Sequence, residues 1–142
     1  MTAALKLENL EQKEKVISLT DKEELITKTV LIIEDDEVTL KQLNFLTKKY
    51  FTNVIALPSG EAAEKFLKDN PKLNVDILVS DYFIPGKNGG ELSSIIKKRN
   101  PETKTFVISG HMEEVAHSKW TSFIDEIFPK PIANELLIEN ML

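Results

Sequence analysis

The chain has 142 residues, no cysteine and a formal net charge of −5 at pH 7. This length is typical of one domain that buries its own core without a disulfide framework or structural metal, and the missing thiols exclude thiolate metal sites and cysteine nucleophiles. The acidic balance argues against direct binding to nucleic acid, and no apolar run has the length of a membrane span or the form of a signal peptide. We therefore expect a cytoplasmic protein that contacts neither nucleic acid nor membrane directly.

The first 28 residues stand apart from the rest of the chain. Leu7, Leu10 and Ile17 can lie on one stripe of a helix, and Thr20 followed by Glu23 has the form of a helix-capping box. Two interpretations fit this pattern: a solvated, partly ordered extension, or a coiled-coil helix through which the chain forms a homodimer.

Short β-branched runs alternate with amphipathic stretches from residue 29 onward, which predicts five strands and five helices. Asn88 is the predicted N-cap of the third helix, and Pro101 stops that helix. In chain order the predicted elements are a strand at 29–33, a helix at 37–50, a strand at 53–57, a helix at 58–69, a strand at 75–80, a helix between Asn88 and Pro101, a strand at 103–109, a helix at 111–120, a strand within 123–129 and a helix at 132–141.

Strict alternation of strands and helices predicts an α/β fold with a parallel sheet covered by helices on both faces. Right-handed crossovers leave few arrangements, and the favoured one is the doubly wound, flavodoxin-like strand order 2-1-3-4-5. Ligands of such folds bind beyond the carboxyl ends of the strands, so the functional residues are expected there.

Polar side chains follow four of the predicted strands. Glu34 and Asp35 follow the first, Asp81 the third, Ser109 the fourth and Lys130 the fifth. Each has an ordinary explanation alone, such as a helix cap or a turn, but the predicted strand order brings all five together. Clustered carboxylates repel one another unless a cation neutralises them, and an all-oxygen site suits Mg²⁺. An ammonium group and a hydroxyl beside them suit a transferring phosphoryl group.

Over residues 29–142 the chain resembles a response-regulator receiver domain of two-component signalling. The segments that carry the resemblance are VLIIEDDE, VDILVSDYFIPGKNGGEL, FVISGH and FPKP. The resemblance implies that Asp81 is the phosphoacceptor. It also implies a site for Mg²⁺ or Mn²⁺ in which Asp35 is a direct ligand, Glu34 acts through water, and Asp81 and the backbone carbonyl of Phe83 complete the protein ligands.

Further roles follow from the same resemblance. Ser109 corresponds to the switch hydroxyl, and Lys130 to the phosphoryl-stabilising lysine that precedes a proline, typically in cis. Gly110 stands where a small residue gives the phosphodonor access, while Phe83 and His111 flank the path of the attacking water. Phe83 cannot orient a water molecule, so we expect slow self-dephosphorylation.

The implied phosphodonor is a phosphohistidine on a sensor histidine kinase or a phosphotransfer protein. The implied output is contact with a partner protein through the face formed by helix 4, strand 5 and helix 5, at about residues 112–142. The chain would catalyse only its own phosphorylation and dephosphorylation. No output domain is recognisable in the sequence, so we expect either a single-domain regulator or the receiver part of a larger protein.

One position departs from the family pattern. Ile127 stands three residues before Lys130, where the family usually carries a Tyr or Phe that couples to the switch hydroxyl. Phe128 comes next, and it either packs on the opposite side of the strand or replaces the missing aromatic through a shifted register. Pro129 removes a strand N–H, which is tolerated at the end of a strand.

Three alternative functions compete with phosphoryl acceptance. A receiver-like interaction module without phosphate turnover gains support from Ile127. An Mg²⁺-dependent phosphohydrolase would need a second acid two residues after its nucleophile, where this chain has Phe83. An FMN-binding flavodoxin-like protein would need a phosphate-binding loop after the first strand, but this chain has Glu-Asp-Asp-Glu at residues 34–37.

Overall fold

The computed structural model describes residues 24–142. The predicted helical stripe at Leu7, Leu10 and Ile17 and the capping box at Thr20 and Glu23 lie outside these residues. Within residues 24–142, none of the helices combines the length and the apolar character that crossing a bilayer requires.

Five parallel strands form one sheet in the order β2-β1-β3-β4-β5, which confirms the predicted topology. The order changes direction between β1 and β3, so the carboxyl ends of these two strands and of β4 and β5 define the edge where a ligand is expected. The strands are β1 (Ile26–Ile33), β2 (Phe51–Leu57), β3 (Ile77–Asp81), β4 (Lys104–Ser109) and β5 (Glu126–Pro129).

Within residues 24–142, five α-helices and one short 3-10 helix connect or follow the strands. They are α1 (Glu37–Thr47), α2 (Gly60–Asp69), α3 (Gly89–Arg99), α4 (Met112–Ala116), the 3-10 helix at Thr121–Phe123, and α5 (Asn134–Met141). Asp36, Ser59 and Asn88 cap the first three, since each side chain accepts a hydrogen bond from a backbone N–H three residues on. The predicted N-cap at Asn88 is therefore confirmed.

Alternate residues of the buried strands pack into two separate hydrophobic cores, one on each face of the sheet. Val30 and Ile32 of β1 face α1 and α5, whereas Leu31 and Ile33 of the same strand face α2 and α3. This explains why the first strand reads as an unbroken apolar run. A third, smaller cluster lies under α4 and contains Tyr82, Val107, Val115, Trp120, Ile124 and Ile127.

Several predicted boundaries were wrong near the ends of elements, among them the starts of β2, at Phe51 rather than residue 53, and of β3, at Ile77 rather than residue 75. β1 begins at Ile26 rather than at residue 29, because Ile26 already pairs with Phe51 of β2 across an irregular register. α1 ends at Thr47 rather than at residue 50, because the next residues turn into β2 and the Tyr50 N–H donates to the Thr47 carbonyl. α5 begins at Asn134, two residues later than predicted. Val38 of α1 is 63% exposed although its side chain is apolar.

The largest correction concerns the helix predicted at residues 111–120. α4 ends at Ala116, and Val115 is its only buried residue. The Thr121 hydroxyl lies 3.1 Å from the Val115 carbonyl oxygen and 3.0 Å from the Ala116 carbonyl oxygen. This side chain thus contacts carbonyl groups that a longer helix would have used in its own hydrogen bonds.

The register of β5 determines where the two residues at the unusual switch position point. Ile127 pairs with Val107 and packs in the small cluster under α4, whereas Phe128 pairs with Ile108. The Phe128 ring lies 5.8 Å from the Phe106 ring, on the face covered by α1 and α5. The structure therefore places Phe128 on the opposite side of the strand, and the register is not shifted.

Candidate functional site

Three carboxylates meet at the carboxyl edge of the sheet. Glu34 and Asp35 follow the last residue of β1, Asp81 is the last residue of β3, and one carboxylate oxygen of each lies within 4.8 Å of the other two. Glu34 is 6% exposed and Asp81 is 2% exposed, while Asp35 lies at the surface. Pairing of β1 with β3 therefore brings together residues that are 46 or more positions apart in the chain, as the sequence predicted.

Lys130 supplies the positive charge next to this cluster. Its Nζ atom lies 2.9 Å from Oδ2 of Asp81 and 3.9 Å from Oε2 of Glu34. The Lys130 N–H donates to the Ser109 carbonyl at 3.0 Å, which ties the end of β5 to the end of β4. The Lys130–Pro131 peptide bond is cis, as the resemblance implied.

The protonation equilibria of two groups reflect this crowding. Burial and, after it, the neighbouring Asp81 together raise the pKa of Glu34 to about 8, against the lowering effects of the Asp36 N–H and of Lys130. Burial alone would lower the pKa of Lys130, but the contact with Asp81 outweighs it and raises that pKa above its ordinary value. One ammonium group therefore does not balance the negative charge collected here.

The donor set fits a hard divalent cation. Oδ1 of Asp81 is buried and accepts no hydrogen bond from any residue in the range 24–142. The Phe83 carbonyl likewise accepts none within that range. Carboxylate and carbonyl oxygens that lack protein donors are the ligands that Mg²⁺ takes in proteins. Glu34, Asp35, Asp81 and the Phe83 carbonyl are thus available to hold such an ion.

A cavity of about 460 Å³ opens beside Asp81. The Ser109 hydroxyl lies at its wall and accepts a hydrogen bond from the His111 N–H at 2.9 Å. The Phe83 ring stands edge-on to the His111 ring with 5.7 Å between the centroids, so these two side chains form one aromatic wall. The residues that line the cavity are Asp81, Phe83, Ile108, Ser109, Gly110, His111, Glu114 and Lys130.

Gly110 lies next to open space at the cavity. A Cβ atom added there would meet nothing within 4 Å. The surrounding structure therefore does not itself require a glycine at this position. His117 is exposed, and Trp120 packs in the cluster under α4 rather than at this cavity.

Three residues at the site escaped the sequence analysis. The Asp36 N–H donates to Oε1 of Glu34 at 3.1 Å and so holds that carboxylate, while Thr39 donates to Asp36. The spacing of Asp36 and Thr39 is an N-capping signal that could have revealed this arrangement. Glu114 lines the cavity from α4, and its place depends on how the loop after β4 folds.

The response regulator receiver domain model matches residues 30–142, so the chain belongs to that family. It is a response regulator receiver domain of two-component systems, with the flavodoxin-like fold that its sheet shows.

Two curated proteins match most of this chain. The chain is 33% identical over 110 residues to a cyclic di-GMP phosphodiesterase of Thermotoga maritima, a match that covers 77% of this chain and 28% of that protein. It is 29% identical over 103 residues to the autoinducer 1 sensor kinase/phosphatase LuxN of Vibrio harveyi, which covers 72% of this chain and 12% of the relative. The chain therefore spans less than a third of the length of either protein.

Solved structures share the fold. The BeF3-activated DrrB receiver domain superposes with a TM-score of 0.68 at 24% identity, covering 82% of this chain and 95% of that one. The response regulator TrrA of Thermotoga maritima, solved in complex with Mg²⁺ and BeF, gives a TM-score of 0.66 at 22% identity, with coverage of 81% and 96%.

Proposed function

We propose that Asp81 accepts a phosphoryl group in a two-component phosphorelay. The observation that carries the proposal is the environment of its carboxylate. This group is 2% exposed, lies 2.9 Å from the Lys130 ammonium and beside two other carboxylates, and borders an open cavity. A carboxylate kept at the end of a strand without hydrogen-bond donors on Oδ1 is poised to act as a nucleophile rather than as a structural cap.

The proposed reaction is a transfer between two nucleophiles. An Asp81 oxygen forms a bond to phosphorus while the bond between phosphorus and the imidazole nitrogen of a phosphohistidine breaks, and the imidazole leaves with the electron pair. Lys130 stabilises the negative charge on the phosphoryl oxygens, and Ser109 exchanges its local contact with the His111 N–H for one with a phosphoryl oxygen. Hydrolysis of the acyl phosphate restores the Asp81 carboxylate.

Glu34, Asp35, Asp81 and the Phe83 carbonyl would hold the divalent cation, Mg²⁺ or Mn²⁺. When bound, such an ion neutralises carboxylate charge and polarises phosphoryl oxygens. This role is supported by the meeting of three carboxylates within 4.8 Å and by the raised pKa of Glu34. The named complex of TrrA with Mg²⁺ and BeF is a precedent in a protein of the same fold.

The proposed phosphodonor is a sensor histidine kinase or a phosphotransfer protein, and the proposed output is a partner protein bound through α4, β5 and α5. The part of the predicted extension that precedes β1 is proposed either to stay solvated or to form a homodimer. The chain itself would be no enzyme beyond its own phosphorylation and dephosphorylation. Membership of the receiver family supports these roles.

A receiver-like interaction module without phosphate turnover is the second candidate. It is favoured by one observation: Ile127 packs under α4 where the family usually carries an aromatic residue, while Phe128 lies on the other face of β5. The intact set of Asp81, Lys130 and Ser109 argues for turnover.

One experiment distinguishes the two candidate functions. The full chain is incubated with acetyl phosphate and Mg²⁺, and the intact mass is followed together with the fluorescence of Trp120. Phosphoryl acceptance predicts a mass gain of one phosphoryl group that Asp81→Asn abolishes, and Lys130→Ala should keep the modification but lose the fluorescence change. No mass gain in the wild type, under conditions that label a known receiver, would favour the interaction module.

A further inference from the structure

The loop between β3 and α3, at residues 82–88, rests directly on the first turn of α2. The Gly60 N–H donates to the Pro85 carbonyl at 2.8 Å. A Cβ atom added at Gly60 would overlap the carbonyl oxygen of Lys87 and lie 2.8 Å from the Lys87 nitrogen. Both are backbone atoms, which cannot swing away as a side chain can. Only a glycine therefore allows the two segments to approach this closely.

Residues of the loop itself also allow and stabilise this contact. Gly86 has a φ of +87°, and a Cβ atom there would lie 2.7 Å from the Glu61 nitrogen. The Lys87 ammonium lies 3.5 Å from a carboxylate oxygen of Glu64 on α2 and 3.3 Å from one of Glu91 on α3. The middle of the loop is thus fixed between the starts of two helices by backbone contact and by charge.

This loop carries one of the proposed cation ligands. The Tyr82 N–H donates to Ile108 and the Tyr82 carbonyl accepts from Gly89, both at 2.9 Å, but the Phe83 carbonyl has no such tether within residues 24–142. Phe83 is 51% exposed, and its ring meets the Tyr82 and His111 rings edge-on. The position of the Phe83 carbonyl therefore depends on what holds the loop just beyond it, at Pro85 and Gly86.

We propose that Gly60, on a helix that contributes nothing to the acidic cluster, is a positioning residue for the cation site. It lets residues 85–87 settle on the first turn of α2, which fixes where the Phe83 carbonyl stands relative to Asp81. This inference rests on the proposed function, because it assumes that the carboxylate cluster binds a divalent cation.

The test compares two ions on the Gly60→Ala variant. Mg²⁺ demands nearly ideal octahedral geometry, whereas Ca²⁺ tolerates irregular coordination. A displaced carbonyl should therefore weaken Mg²⁺ binding by about tenfold or more, because small misplacements of a positioned group have effects of this order or larger. The affinity for Ca²⁺ should fall much less. Both affinities are measured by titration calorimetry on the unphosphorylated full chain, so the readout does not depend on phosphorylation.

Asp125→Asn is the matched control, because Asp125 lies at the far end of the sheet and its loss should lower stability without changing either ion affinity. If Gly60→Ala does not fold, Lys87→Met decides, since it removes the ion pairs to Glu64 and Glu91 without a steric clash. The expected result is a smaller loss in the same sense. Absence of Mg²⁺ binding in the wild type would contradict the proposed function itself. Wild-type binding that the decisive variant leaves unchanged, or a loss that is equal for both ions, would overturn the role of Gly60 alone.

Discussion

Two aspartates at opposite ends of the sheet have opposite surroundings. Asp125, just before β5, lies 2.8 Å from the Lys97 ammonium and accepts a hydrogen bond from the Thr105 N–H at 2.8 Å. Asp81, at the end of β3, is more deeply buried, yet its Oδ1 accepts no hydrogen bond within residues 24–142 and its neighbours include Glu34. An aspartate thus has its charge and hydrogen bonds compensated at one end of the sheet, whereas at the other end an aspartate lies among further carboxylates.

The difference separates a structural group from a functional one. Partial burial would raise the pKa of Asp125, but the donors from Lys97 and Thr105 outweigh it and lower that pKa below its ordinary value. Its ionised form therefore stabilises the fold. Like charges at the other end are kept in spite of their cost, which is expected where a ligand or a transferred group supplies the missing charge compensation.

Asp81→Asn should cause the largest change in labelling among the proposed substitutions. We expect it to abolish labelling by acetyl phosphate completely, and to raise the free energy of unfolding in Mg²⁺-free buffer by about 1 kcal/mol, since relief of a functional site commonly stabilises by this amount. Urea unfolding followed by circular dichroism measures the second effect. A loss of stability instead would mean that Asp81, like Asp125, is mainly a structural residue.

Asp125→Asn should act in the opposite direction. Removal of the charge breaks the pair with Lys97 and weakens the bond from Thr105, so we expect the free energy of unfolding to fall by about 1–2 kcal/mol. The rate of labelling at Asp81 should stay as in the wild type. Lys97→Met provides a check, because it should lose a similar part of this stability and also leave the labelling rate unchanged.

Phe83→Asn tests the site around Asp81 without altering its charge. An amide in place of the apolar ring can orient a water molecule toward the phosphoryl group, so we expect the acyl phosphate to hydrolyse about tenfold faster. The decay of the phosphorylated mass after removal of acetyl phosphate gives the rate. A wild-type lifetime of only seconds in Mg²⁺ would contradict the idea that the ring slows hydrolysis.

The pH dependence of stability should reveal the ionic contribution of Asp125. Because the pKa of folded Asp125 lies below that of the unfolded chain, about 3.9, its contribution is complete above that value and is lost as the pH falls through the folded pKa. The stability difference between the wild type and Asp125→Asn should thus be full at about pH 6 and shrink toward about pH 3. Urea unfolding at both values measures it, and a constant difference would refute the ionic contribution.

The sequence was sufficient for the topology and for the charged residues that meet at the carboxyl edge of the sheet, although Asp36, Thr39 and Glu114 were missed. Alternation of strands and helices determined the strand order, and the order then placed Glu34, Asp81 and Lys130 side by side. These residues lie at strand ends, where position along the chain nearly determines position in space.

Features that depend on contacts between elements could not be predicted. The early end of α4 depends on the Thr121 hydroxyl reaching back to carbonyl groups, and the role of Gly60 depends on a loop 25 or more residues away. The partnership of Asp125 with Lys97 joins two elements whose spacing in the sequence carries no signal. Packing rather than local pattern determines each of these three.

The most direct test of the account is the Mg²⁺ dependence of stability. If the crowded carboxylates bind the ion, the free energy of unfolding of the wild type should rise with Mg²⁺ concentration, by about 1.4 kcal/mol for each tenfold increase above the dissociation constant. Asp125→Asn should show the same slope from a lower starting value, and Asp81→Asn should show almost none. An equal response of the wild type and Asp81→Asn, or a wild-type response that NaCl of the same ionic strength reproduces, would contradict a cation site at Asp81.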